Sequence, residues 1–494
     1  MKNTIFPGLY KDPGFILTLI LFVFFLKGIF LVTLQPIFGG QDEARHYNTI
    51  QFFSEPTDKP SFSVSDRFDE ASKDKDDLET YQFSEEIKKT ATATNTDILR
   101  GEIYNTILFS RSSDGINETE INQRLWPAIN YEEPDAVRSS PFYHKTASLI
   151  EKAFSGQSIL VRFYLIRIFS VLLGTIAVFL CYFIAKTIGL SPKISLILTA
   201  ILAFQPKFSL YFTNINYDVL LIPFFFLFTL AGVLTLKNGL TLKNITLLIG
   251  AVAIATQVKG TGYILVVVLT ALIAFILFQK VQMHGKKFRY ITYGASALIF
   301  FNVLLYLHER FLITGQSFGE ISISVWEYIE KTITWSRFIL PSPTYWGTLS
   351  WVRNPLLDNV TNLILIIETI AIIGLGILLF SKKFKESYPT FLPARKYVVF
   401  LIGMIVALQL GIRTIDWVVF TQVGGMKLSL GTPGRYFLPN LVSHILLVGI
   451  GLGALLTWFK KEKYFEPILL AILIGMMSLM MYLTFNVIIL RFYF

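Results

Sequence analysis

The run FILTLILFVFFLKGIFLVTL (Phe15–Leu34), followed by QPIFGGQDEARHY (Gln35–Tyr47), decides how the rest of the chain is read. At about 1.5 Å rise per residue, a helix over 15–34 reaches the ~30 Å needed to cross the hydrocarbon of a bilayer. The run is longer than the core of a secretory signal and ends Thr33-Leu34-Gln35-Pro36, without a small-residue cleavage site. With Lys2 and Lys11 ahead of it, it reads as an uncleaved first transmembrane helix whose N-terminus lies inside. Two adjacent carboxylates, Asp42 and Glu43, then stand directly outside the membrane, with His46 one helical turn later. At about 100° per residue, Asp42, Glu43, His46, Ile50 and Phe53 share one arc roughly 100° wide, so the acids fall on the apolar face. A purely solvated junction would put them on the other side, and the stretch therefore reads as a catalytic edge held at the membrane surface.

Composition sets the class. The 494 residues are 53% hydrophobic and 16% charged, with mean hydropathy +0.56, values that belong to polytopic membrane proteins. The net charge of +10 does not point to nucleic acid, because Lys and Arg sit mainly in short loops between spans, as membrane topology requires. The single cysteine, Cys181, lies within a span, so neither a disulfide framework nor a cysteine metal site forms within one chain.

The expected fold is all-α, with about eleven transmembrane helices, N-terminus inside and C-terminus outside. After the first helix (1–34) comes a large acidic extracytoplasmic loop, 35–157, which holds about two-thirds of all Asp and Glu. Acidic loops of this length translocate freely. Within it, 54–120 is polar and poor in aliphatic residues, and reads as a small insert or a partly disordered one. Spans two to seven occupy 158–313, among them about 163–185, 194–210, 218–236 and 290–312. A Trp-rich outside loop follows at 314–358, carrying Trp326, Trp335, Trp346 and Trp351 of the seven tryptophans. Spans eight to eleven occupy 359–494. Each inside loop is rich in Lys or Arg, including Lys186/Lys193, Lys237/Lys243, Lys286/Lys287/Arg289, Lys382/Lys383/Lys385 and Lys460/Lys461/Lys463.

The outside ends gather Asp42, Glu43, His46, Lys207, Asn216, Asp218, Lys259, Arg337, Arg353, Arg413, Asp416 and Arg435. Charges near membrane depth are kept mainly where they pair or line a cavity, although single long side chains also snorkel. Asp42 and Glu43 have a second reading as charges complementing a helix N-terminus, and a third as carboxylates for a divalent cation. Glu43 and His46 form only one Glu-x-x-His element, and there is no His-Glu-x-x-His run. Gly431-Thr432-Pro433-Gly434-Arg435-Tyr436-Phe437-Leu438-Pro439 places an arginine where the tenth span begins. It suits either bidentate capture of phosphate or an interfacial anchor. Lys259, in Gln257-Val258-Lys259-Gly260-Thr261-Gly262, stands in the same position between alternatives. Neither stretch is a Walker loop.

Several motifs recur in order along the chain: Asp-Glu-x-x-His after span one, Ser-Pro-Phe-Tyr (140–143) before span two, and Asn-x-Asp (216–218) opening span four. Lys-Gly-x-x-Tyr (259–263), Tyr-Trp-Gly-x-x-x-Trp (345–351) and Gly-Arg-Tyr-Phe-Leu-Pro (434–439) complete the set. Together they resemble the GT-C superfamily of integral-membrane glycosyltransferases, and more narrowly a bacterial branch labelled a domain of unknown function. Arg45 stands where that pattern carries a small residue, and 54–120 is an enlarged insert suggesting an added recognition element.

The resemblance implies transfer of a sugar from a polyprenyl-phosphate donor to an extracytoplasmic acceptor: a cell-envelope glycan, lipid or protein. Asp42 would be the general base, with Glu43 beside it in the catalytic pair. Arg435 and then Lys259 would hold the donor phosphate. His46, Asn216, Asp218, Trp346 and Trp351 would bind acceptor or sugar. Inversion at the anomeric carbon follows from a single displacement. No cofactor is implied, with a divalent cation at Asp42/Glu43 left open. The partners are the donor, the acceptor and the bilayer of the plasma membrane, and no nucleic acid. A transporter, flippase or ligase of lipid-linked glycans is the alternative. Such transporters often show repeated halves and mid-span charges, whereas here no internal repeat is found.

Overall fold

The computed structural model describes residues 12–40, 42–54, 84–93, 142–281, 342–347, 355–382, 384, 389–422 and 434–490. Among them the regular structure is helical throughout. In chain order the helices are α1 (Pro13–Leu34), α2 (Glu43–Ser54), α3 (Glu85–Ala93), α4 (Phe142–Ala153), α5 (Ile159–Thr187), α6 (Pro192–Phe204) and α7 (Pro206–Tyr211). They continue with α8 (Asp218–Asn238), α9 (Leu242–Val258), α10 (Ile264–Val281), α11 (Ser342–Trp346), α12 (Pro355–Phe380), α13 (Arg395–Gln422), α14 (Leu441–Trp458) and α15 (Phe465–Leu483). Short 3₁₀ turns at Gly260–Tyr263 and Gly434–Asn440 lead into α10 and α14, and α15 runs on into a π turn, Thr484–Ile489.

Eight of these segments are long and apolar enough to cross a membrane: Pro13–Leu34, Ile159–Thr187, Asp218–Asn238, Gly260–Phe278, Asn359–Phe380, Arg395–Thr414, Gly434–Trp458 and Glu462–Ile489. The chain is therefore a polytopic membrane protein. The helices expected as the third and fifth spans are shorter, α6 and α9, and the expected seventh span (290–312) lies outside the described residues. The third differs for a clear reason. Pro206 has no N–H to donate and disfavours helical backbone at Gln205, so the expected span 194–210 breaks into α6 and α7. Lys27 of α1 fills the break, donating to Ala203 O at 2.5 Å and Ser209 Oγ at 2.8 Å.

Local chemistry starts and stops these helices. Asp12 caps α1 by accepting from Gly14 N, with Pro13 in the first turn, where a missing N–H costs nothing. On α1, Phe15, Leu19, Phe22, Leu26 and Phe30 form an exposed apolar stripe, while Leu17, Phe24, Leu31 and Val32 face inward. A helix apolar on both faces is stable only where its outer face meets lipid. The spans of α8 and α14 are each 72% buried and that of α1 only 28%, so α8 and α14 form the centre and α1 lies at the edge.

Part of the first loop folds onto the bundle. Ile50, Ile87, Ala91, Tyr143 and Ala147 of its helices α2, α3 and α4 are buried in one continuous core with Ile159 and Phe163 of α5. Beneath them Arg162 forms ion pairs with Glu86 and Glu151. Tyr47 donates to Glu151 Oε2 at 3.1 Å and Gln51 to Glu86 Oε2 at 2.6 Å. α3 lies inside the insert expected at 54–120, and this part of it is ordered against α2 by a bond from Ser84 Oγ to Gln51 Oε1 (2.7 Å).

Candidate functional site

The site begins at a strained turn. Phe38 and Asp42 both have left-handed backbone, with φ of 59° and 58°. This is tolerable for an aspartate but unusual for a bulky side chain. Burial of the Phe38 ring, edge-on to Phe163 at 5.2 Å, holds the turn in place. Such strain persists only where the surroundings over-determine it. Because α2 starts at Glu43, Asp42 precedes the helix and does not share the arc expected for it. Glu43, His46 and Ile50 do share that arc and are buried.

The two neighbouring acids have separate environments. Glu43 is fully buried and receives two bonds from Arg167 of α5: Nε to Oε1 at 2.8 Å and Nη2 to Oε2 at 2.7 Å. It also accepts from the backbone N–H of Gly40 (2.8 Å) and Ile215 (2.9 Å). The remaining guanidinium hydrogens of Arg167 go to the carbonyls of Val32, Gln35 and Pro36 at the end of α1. Every donor of the arginine is thus used, which is how a buried ion pair offsets its desolvation. Asp42, in contrast, is 42% exposed at its side chain and meets Arg435 Nη2 at 3.2 Å. Arg435 lies over the Tyr436 ring at 5.2 Å, and its Nε is buried without a hydrogen-bond partner among the described residues.

Lys259, at the end of α9, is held by both oxygens of Asp218 (2.9 and 3.1 Å). It is sandwiched between the rings of Tyr217 and Tyr436 at 4.5 and 4.2 Å. Burial pulls the ammonium toward neutrality, but the Asp218 carboxylate and the two phenols more than offset this and raise its affinity for the proton. Asp218 further accepts from Tyr211 OH at 2.7 Å, and Asn216 Oδ1 accepts from Asp218 N at 2.9 Å, capping α8. Asn216 and Asp218 are therefore turned toward the protein: Asp218 holds the lysine, and Asn216 accepts from the Asp218 backbone.

His46 packs on His144 of α4 with rings 5.2 Å apart and stands edge-on to Tyr217 at 4.7 Å. One hydrogen bond of 3.0 Å joins His46 Nδ1 to His144 Nε2. Burial, and then the charges of Arg435, Lys259 and Arg45, push the His46 imidazole down to about 3. Burial and His46 likewise keep His144 well below the ordinary histidine range. Both rings are neutral at pH 7, so they share a single proton at the contact.

The GRYFLP and YWG motifs meet. Gly434 N donates to Thr344 Oγ1 at 2.9 Å, and a Cβ at Gly434 would lie 2.4 Å from Tyr345 N, so only glycine permits this approach. Trp346 is 5% exposed and packs on His444 at 5.7 Å. Tyr345 OH and His444 Nδ1 are 3.1 Å apart, and His444 Nε2 lies 3.1 Å from Glu368 Oε1 within the spans. Trp351, Arg337 and Arg353 lie outside the described residues.

The structure thus brings together Asp42, Arg435, Lys259, Asp218, Asn216 and His46, adds His144, Tyr211, Tyr217 and Tyr436, and sets Trp346 behind them. The sequence reading passed over Arg167, Arg162 and His144. The arginines carried a usable signal: a charge inside or at the edge of an apolar run, VRFYLIRIF (161–169), needs a buried partner. Among the described residues no group of three or more His, Cys, Asp or Glu is placed to hold a metal.

No curated protein and no solved structure matches the chain. A family model spanning residues 24–444 does match, across all of the motifs above, and the chain belongs to that family, described as "Predicted membrane protein (DUF2142)".

Proposed function

We propose that the protein is a GT-C-type membrane glycosyltransferase that moves a sugar from a polyprenyl-phosphate donor to an acceptor outside the cytoplasmic membrane. The topology that goes with this reading has eleven spans, the N-terminus inside, and Asp42 and Arg435 at the outer surface. The observation that carries it is the pairing of Asp42 with Arg435 at 3.2 Å, in which the acid stays half-exposed and Arg435 Nε has no hydrogen-bond partner among the described residues. A general base thereby stands beside a cation suited to a leaving phosphate. In the reaction an acceptor hydroxyl attacks the anomeric carbon and Asp42 takes its proton. The bond from that carbon to the phosphate oxygen breaks, the electron pair leaves with the polyprenyl phosphate, and Arg435 stabilises the added charge. One displacement inverts the anomeric centre.

The other residues take supporting roles. Glu43 sets the position of Asp42 through Arg167, and Lys259, held by Asp218, contributes positive potential beside Arg435. His144 fixes the tautomer of His46. A buried N–H without a partner is rarer than an unused acceptor lone pair, so His144 Nε2 donates to His46 Nδ1. That leaves His144 Nδ1 as an acceptor without a partner among the described residues and His46 Nε2 as a neutral N–H donor for a sugar hydroxyl. Trp346 packs on Tyr345 and His444, and Thr344 two residues before it holds Gly434 next to Arg435. The reaction as written uses no cofactor, and a divalent cation at the Asp42/Glu43 pair would have to displace Arg167 to reach Glu43.

A second reading, translocation of a lipid-linked glycan, is favoured by two observations. One is the α6–α7 break filled by Lys27; the other is the Glu368–His444 pair within the spans. Discontinuous helices and intramembrane ionisable groups are common in transporters. Mass spectrometry of lipid-linked and surface glycans from a deletion strain separates the two. A transferase defect leaves a glycan one sugar short that wild type restores and Asp42→Asn does not. A full-length glycan retained on the inner leaflet supports translocation and sinks the transferase. In membranes, Arg435→Ala should weaken use of the donor more than use of the acceptor, and equal effects would remove it from the phosphate site.

A further inference from the structure

A cleft of ≈ 260 Å³ opens between α8, α10 and α13, beside Leu236 near the C-terminal end of α8, whereas Asp218 stands at the other end of that helix. Its walls are apolar, formed by Leu236, Val268, Phe275, Val399 and Phe400, with Gly403 and Ala407 along its floor. Among the described residues lining it, the one charged group is Lys396, in the first turn of α13. Lys396 Nζ donates to Leu236 O at 2.6 Å, which fixes the ammonium at one end of the cleft while the side chain stays exposed.

We propose that this cleft is a binding site for one acyl chain of an anionic phospholipid, whose headgroup phosphate is held by Lys396. The proposal does not depend on the transfer reaction. Three features point to this occupant. First, the cleft follows α13 from Lys396 to Ala407, on the order of 16 Å at about 1.5 Å per residue. That is half of a ~30 Å hydrocarbon core, the depth of one leaflet. Second, it lies between segments apolar enough to span a membrane, so its surroundings supply hydrocarbon rather than water. Third, the cationic end coincides with the end of the span: Lys396 lies in the first turn of α13, and exposed Lys237 lies in the last turn of α8 next to Leu236. A basic cluster at a span end attracts anionic headgroups, and an apolar slot below it takes the chain.

Gly403 allows a clean test. A Cβ added there meets nothing within 4 Å, so Gly403→Leu fills the cleft without a clash and removes a helix-weakening glycine. Lys396→Gln keeps a donor for Leu236 O and removes only the charge. The full chain is purified in detergent with an equimolar mixture of phosphatidylglycerol and phosphatidylcholine, and retained lipid is counted by native mass spectrometry. Wild type is expected to retain one phosphatidylglycerol in preference to phosphatidylcholine. Gly403→Leu should lose that adduct while staying monodisperse. Lys396→Gln should lower the preference about fivefold, the effect of one surface cation. Equal retention of both lipids by wild type, or an unchanged adduct in Gly403→Leu, overturns the site. So does a dimer that Gly403→Leu abolishes, which would assign the cleft to a second copy of the chain.

Discussion

Arg167 and Glu43 stand 124 residues apart in sequence and meet through two hydrogen bonds of 2.8 and 2.7 Å, fully buried. The contact removes Glu43 from the adjacent carboxylate pair and leaves Asp42, one residue earlier, facing Arg435. The arginine also gathers the last carbonyls of α1, so the same group that neutralises Glu43 fixes the turn that presents Asp42.

The two acids should therefore respond to substitution in opposite ways. Asp42→Asn removes a partly exposed pair, and its unfolding midpoint should stay within about 1 kcal/mol of wild type while transfer is lost. Glu43→Ala strands Arg167 as a buried, unpaired cation, which costs about 3–5 kcal/mol. Thermal unfolding in detergent, measured beside activity, separates them. Equal destabilisation by both would contradict the division of roles.

The Lys259–Asp218 pair offers a coupling measurement. Asp218→Asn alone leaves the ammonium between two rings without its carboxylate and should cost about 3 kcal/mol or more. Adding Lys259→Met removes the stranded charge, so the double variant should be more stable than Asp218→Asn. A double-mutant cycle reads this directly, and strict additivity would show that the 2.9 Å contact carries no coupling.

The buried histidines set a pH dependence. His46 is held near 3 in the folded chain, against about 6.5 when unfolded. Between these values the unfolded chain binds a proton that the folded chain refuses. Stability present at pH 7 is therefore lost as pH falls from 6.5 toward 3, with a slope of about 1.4 kcal/mol per pH unit for such a group. His144, pushed the same way, adds to the slope. Unfolding midpoints at pH 7, 6 and 5 should fall progressively, and less so in His144→Gln. The acid limb of transfer activity should show no inflection near 6.5, since His46 stays neutral there; an inflection that His46→Asn abolishes would show that the ring titrates in the native state.

Much of the architecture was legible in the chain itself. The runs at Phe15–Leu34, 163–185 and 218–236 each became a long helix, because length and hydropathy are local properties. The third span misled: its hydropathy runs on through Gln205-Pro206, whereas the backbone cannot, and only the proline marked the break. The helical arc through Asp42 also failed at its first residue, since a left-handed turn precedes α2 and periodicity says nothing about where a helix begins.

By itself the sequence determined that the chain is an all-helical polytopic membrane protein, because a spanning segment must satisfy its own backbone within one helix. It did not determine partners. Asp42 could have faced any cation of the collected set, and its contact with Arg435 closes 393 residues of chain. Ion pairs depend on which helices are neighbours and on the angle at which each side chain leaves its helix. Those are properties of the packed bundle, and so only the tertiary structure assigned Glu43 to Arg167, Asp218 to Lys259, and Asp42 to Arg435.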